Sequence, residues 1–189
     1  MVWLILGLVV FLGVHCVRGT APEFRDRMIA EHGEAAWKGI YSVISIAGFV
    51  LLIWGFGQAR LDAPFLYEPP VLLKALATPL MLISLILFVA SQIPPGRIKQ
   101  AAKHPMVLAV IVWAFAHLLA NGDLASLILF LAFLVWAVWN RIVVNRRGDP
   151  AFENVSVRND VIAVVVGTAL TAWFLLQLHG WLFGVSPMA

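Results

Sequence analysis

The sequence predicts an all-α fold, a polytopic bundle of transmembrane helices, on three observations. Apolar residues fill 62% of the 189 positions and charged residues only 12%. The charges gather between long uncharged blocks, so there is no solvent-facing helical stripe of the kind a water-soluble helix carries. Those blocks have the length of membrane-crossing helices.

Six spans follow in order: Val2 to Val17, Gly39 to Gly57, Val71 to Ile93, Pro105 to Ala120, Leu124 to Val144 and Asp160 to Gly184. The first and fourth sit at the lower edge of the usual ~17–25 residues, so their ends reach the headgroups, and a five-span count is the alternative. Pro69-Pro70 and Pro94-Pro95-Gly96 bound the third span with residues that cannot continue a helix. Met1 to Val17 is read as a retained span and not as a leader, because its start carries no Lys or Arg and no small-x-small cleavage site precedes Arg18.

Charge sets the orientation. The connections after spans one, three and five hold eleven of the thirteen Lys and Arg residues. These are Arg18, Arg25, Arg27 and Lys38; Arg97, Lys99 and Lys103; and Arg141, Arg146, Arg147 and Arg158. The positive-inside rule puts these connections in the cytoplasm and both termini on the opposite side. With anionic lipid and topology accounting for the basic residues, the net charge of +3 gives no nucleic-acid surface.

The whole of 1–189 reads as one transmembrane domain with two partly polar cytoplasmic connections. Residues 18–38 form an amphipathic segment with Phe24, Met28 and Ile29 toward lipid, and residues 145–159 form an irregular loop. Gly7, Gly13, Gly48, Gly55, Gly57, Gly167 and Gly180 lie in or at the ends of spans, where small residues let helices approach closely. Trp3, Trp37, Trp54, Trp139 and Trp181 fall near span ends as interfacial anchors, while Trp113, Trp136 and Trp173 lie deeper, where packing against other helices is the expected role and lining a ligand pocket the alternative.

Few residues here can do chemistry. There is no nucleophile elbow, phosphate-binding loop, dinucleotide fingerprint or paired-histidine zinc motif, and the single Cys16 excludes an intrachain disulfide and a c-type haem attachment. Carboxylates are nearly absent from the spans, which argues against an ion-coupled transporter. Histidine is left as the candidate. His32 lies in a polar stretch between Glu31 and Glu34 and reads as solvated, whereas His15, His104, His117 and His179 lie in or beside spans, where an imidazole is costly without a partner. Helices that face one another can offer two imidazoles to one haem iron, which makes these four the candidate cofactor-binding residues. His104 and His117 are thirteen steps apart, roughly 20 Å along one helix, and cannot serve the same iron. Depth pairs His15 with His104 near the cytoplasmic ends, or His117 with His179 near the outer ends. A His15 to His117 pair needs tilt to absorb a depth difference of about 15 Å.

The blocks LGLVVFLGVHCVR, WKGIYSVISIAGFVLLIWGFGQAR, GRIKQAAKHPM, WAFAHLLANGDLASLILF, RNDVIAVVVGTAL and LHGWLFGVSP, in that order, resemble the NnrU family over essentially the whole chain. That resemblance implies a multi-pass protein of the bacterial inner (cytoplasmic) membrane with a role in nitrite and nitric oxide metabolism during denitrification. The family is similar to 15-cis-zeta-carotene isomerase, which implies haem b on histidine ligands, with His15, His104 and His117 in the shared region as the axial candidates for the iron. The isomerase itself suggests His15 and His117. It also has a cysteine three residues before the second histidine, where this chain has Ala114. A more distant similarity to isoprenylcysteine and phospholipid methyltransferases rests on Lys103-His104-Pro105 alone, since the Tyr and Gly that complete their motif are replaced by Val107 and Ala109.

Three functions follow as expectations. The first is a haem b protein of nitric oxide or nitrite metabolism, with the bilayer and an apolar small molecule or nitric oxide as partners. The second is a haem-dependent cis-trans isomerase of a carotenoid-like polyene. The third is a cofactor-free membrane assembly protein.

Overall fold

The computed structural model describes residues 1–187, and among them there is no β-strand. The chain runs through α1 (Val2–Thr20), α2 (Pro22–Leu61), α3 (Val71–Gln92), α4 (Arg97–Ala102), α5 (Pro105–Ala120), α6 (Leu124–Arg146) and α7 (Val157–Trp173). A π-helical turn, Phe174–Leu178, then joins α7 to α8 (His179–Phe183). Five helices are long and apolar enough to cross a membrane: α1, α2, α3, α6 and the run Val157–Phe183. The sixth apolar helix, α5, has 16 residues. Large apolar side chains such as Val9, Val43, Ile46, Val135 and Val165 are more than half exposed, a surface that water would not tolerate and lipid does. The chain is a multi-pass membrane protein.

Helix ends follow residues that stop or start helices. Pro22 and Pro105 occupy first-turn positions, where a missing N–H costs nothing. Gly33 takes φ 85° and ψ 157° inside α2, a backbone that favours glycine, and so divides the polar stretch 22–32 from the apolar stretch beyond it. The expected amphipathic segment 18–38 is thus helical over most of its length, with a kink at Gly33 before the second span. Two features differ from the sequence expectation: the short α4 stands between spans three and four, and the last span is interrupted by the π turn.

The chain divides into two compact units. The first comprises Met1–Glu68 and Gly122–Trp136. Its α1 and α2 pack on glycine: a Cβ on Gly7 would meet the Leu52 backbone at 2.5 Å, one on Gly55 the backbone of Trp3 and Leu4 at 2.5 Å, and one on Gly48 the Phe11 nitrogen at 2.8 Å. Gly13 and Gly57, also in spans, have open space around them. An isolated bridge between Phe65 and Asp123 ties the segment after α2 to the start of α6.

The second unit comprises Pro69–Asn121 and the residues from Ala137 on. Here α3 packs against both α5 and α7. Ser84 Oγ donates to the Ala109 carbonyl at 2.9 Å, and a Cβ on Gly167 would meet Ile86 Cα at 2.8 Å. Val89, Ala90 and Ala163 form its buried core, with Ile86, Ile93, Ile98 and Leu170 against them. At one end the Asp160 carboxylate caps α4 by accepting the N–H groups of Arg97 and Ile98, both at 2.9 Å.

Candidate functional site

Of the four candidate histidines, the structure brings His117 and His179 together. His117 lies in the last turn of α5, where Asn121 closes the helix by donating both its backbone N–H (3.0 Å) and its side-chain amide (2.8 Å) to the His117 carbonyl. His179 opens α8 directly after the π turn. A π turn inserts an extra residue into the helical register, re-aiming whatever follows, and such turns are rare and frequent at functional sites.

The two imidazole rings are nearly parallel, 16° between planes, with centroids 6.5 Å apart. Each is oriented by a backbone carbonyl: His117 Nδ1 donates to Trp113 (2.9 Å) and His179 Nδ1 to Val185 (2.7 Å). A ring whose Nδ1 carries the hydrogen has its lone pair on Nε2, the form that binds a metal, and a carbonyl acceptor of this kind fixes the tautomer. Trp113 flanks His117 at 5.3 Å and Phe183 flanks His179 at 5.0 Å between centroids, giving the pair aromatic walls.

The donor set discriminates between metals. Among the described residues no group of three or more His, Cys, Asp and Glu side chains is arranged to hold a metal ion. Two imidazoles are too few for zinc, which takes four ligands, three or more of them from protein. They suffice for an iron whose other four ligands come from a macrocycle.

His104 sits elsewhere in the same unit, as the residue preceding α5. Lys103 before it adopts φ 60° and pairs with Asp149, and Arg141 donates to the Ala102 carbonyl at 3.0 Å, so a cationic elbow surrounds the ring. His104 Nε2 is buried without a hydrogen-bond partner. Burial, with Arg141 and Lys103 adding and Asp149 opposing, holds its pKa below the usual histidine value. That environment favours the neutral form of the ring.

His15 belongs to the first unit, on α1, with Nδ1 donating to the Phe11 carbonyl at 2.6 Å. Phe11, Tyr41 and Trp136 surround it, at centroid distances of 4.4, 5.4 and 5.9 Å. Tyr41 and Trp136 are not legible in the sequence as neighbours of His15, because nothing in the spacing along one helix reveals which residues of another it meets. The depth of Trp136 within a span was the one available signal. His32 is exposed beside Glu31, 4.0 Å away.

Comparison with curated proteins finds no match, and comparison with solved structures finds none either. The model of the family described as NnrU protein matches residues 3–187. On that match, covering nearly every residue, this multi-pass membrane chain belongs to the NnrU family.

Proposed function

We propose that this protein is a haem b carrier of the bacterial inner membrane in which His117 and His179 would hold the haem. The single observation that supports this is the near-parallel imidazole pair at 6.5 Å, with each ring held by a backbone carbonyl through Nδ1. When bound, haem would supply a one-electron couple and an iron centre with affinity for nitric oxide. His117 and His179 would hold the iron, Trp113 and Phe183 would keep water from the ring faces, and the Asn121 cap holds the end of α5 on which His117 depends.

Nitrite and nitric oxide metabolism is the physiological setting that family resemblance suggests, and nitric oxide, small and apolar enough to partition into lipid, suits a site among apolar helices. The isomerase alternative has less behind it. Ala114, fully buried, puts a methyl group where the related enzyme has a thiol.

Protein expressed with ample haem and purified in detergent should show a Soret band with the sharp visible bands of six-coordinate iron. His117→Ala and His179→Ala should each abolish or shift it, while His15→Ala and His104→Ala leave it in place. A spectrum unchanged in both His117→Ala and His179→Ala would sink the assignment.

A further inference from the structure

The two rings of the histidine pair are held by carbonyls of different kinds. His117 Nδ1 donates to Trp113, four residues back on the same helix, so that acceptor is present whenever α5 is. His179 Nδ1 donates to Val185, six residues ahead and beyond the end of α8. Were α8 to continue, the carbonyl of residue 185 would stand about 9 Å further along the axis and point away from His179. The chain has to reverse for this bond to form.

The reversal is made at one residue. Gly184 takes φ 70° and ψ 13°, the left-handed conformation, and its N–H donates to the Gly180 carbonyl at 2.9 Å, which closes α8. Beyond it Val185 turns back, and its carbonyl meets the imidazole at 2.7 Å. A Cβ at position 184 would meet nothing within 4 Å, so space does not demand glycine there. The backbone does: β-branched residues avoid φ above zero, whereas asparagine tolerates it. The π turn before His179 and the Phe183 ring, 5.0 Å from it between centroids, also bear on where the imidazole lies. Neither selects which ring nitrogen carries the hydrogen. The Val185 carbonyl does, because only an N–H can donate to it.

We infer that Gly184 is a positioning residue for the histidine pair: its left-handed turn brings the Val185 carbonyl onto His179 Nδ1, which leaves the lone pair on Nε2, the form that binds a metal. The geometry stands by itself, while its purpose rests on the haem reading proposed above. The turn acts on His179 alone, since His117 has its acceptor within its own helix.

Nitrogen NMR of the haem-free full chain, labelled at its histidine ring nitrogens and held in detergent at about pH 9, above the ordinary histidine range, tests it. The His179 signals are assigned by their loss in His179→Gln. Wild type should show His179 as one tautomer, with the hydrogen on Nδ1 and a bare Nε2. Gly184→Val should give the averaged shifts of two tautomers at His179 and leave His117 unchanged, and Gly184→Asn should keep the wild-type pattern. On haem-loaded protein Gly184→Val should speed haem loss about tenfold, the lower end of the effect of removing a metal ligand's hydrogen-bond partner, and Gly184→Asn should not. A wild-type tautomer in Gly184→Val, or a mixture already present in wild type, would overturn the inference, as would haem loss at the wild-type rate in a variant whose tautomers are mixed. The haem-free spectra decide the geometry alone, so a chain that shows them and takes up no haem refutes the haem reading and not the turn.

Discussion

The Asp160 carboxylate accepts the backbone N–H of Arg97 at 2.9 Å across 63 residues of sequence, and its second oxygen does the same for Ile98. One side chain from α7 thereby closes the exposed start of α4 and fixes the turn leading toward His104. Gly96 makes room for it, since a Cβ there would lie 2.1 Å from Asp160 Oδ1.

Asp160→Ala should therefore destabilise the second unit by about 2 kcal/mol, the worth of charge-assisted bonds to a partly exposed helix start. Gly96→Ala should act in the same direction by displacing the carboxylate. Thermal unfolding in detergent checks both, and an unchanged midpoint in Asp160→Ala would remove the cap from the account.

Glycine packing between α1 and α2 gives a paired test. Gly55→Ala and Gly7→Ala place a methyl against backbone, which cannot move aside as a side chain can, and should each cost about 1–3 kcal/mol by forcing the helices apart. Gly13→Ala and Gly57→Ala meet open space and should be neutral or slightly stabilising. Equal effects in the two pairs would contradict the close approach.

The pH dependence of stability should carry the signature of His104. Its folded pKa lies below the unfolded value, so as pH falls through the ordinary 6.5 the unfolded chain takes up the proton first. The contribution is whole above pH 6.5 and declines below it, down through the lowered folded value. Between about pH 7.5 and about pH 5, His104→Gln should lose stability less steeply than wild type in thermal melts. An identical slope would mean the ring is not excluded from water as the elbow implies.

Much of the architecture is legible because hydropathy and proline punctuation act locally. Span four, bounded by Pro105 and Asn121, coincides with α5, and Pro69-Pro70 marks the start of α3. What escapes a linear reading is set at long range or by backbone geometry. The polar stretch 22–32 is helical but is set off from the span beyond it by the non-helical backbone of Gly33, which hydropathy alone does not mark. The π turn has no side-chain periodicity of its own. Four of the seven noted glycines, Gly7, Gly48, Gly55 and Gly167, touch a neighbouring helix and three do not, which depends on helix pairing. Depth along the spans offered His117 with His179 as one possible pair, and their rings prove to be neighbours. For the aromatic surroundings of His15 the depth of Trp136 within its span is the one signal the sequence carries.

The proposal that His117 and His179 would hold a haem iron through their Nε2 atoms is tested most directly by electron paramagnetic resonance of the oxidised, haem-loaded protein. Two neutral imidazoles with nearly aligned planes predict a rhombic low-spin ferric spectrum that is lost in His179→Ala. A high-spin spectrum in wild type, or no haem signal after expression with ample haem, would contradict the account.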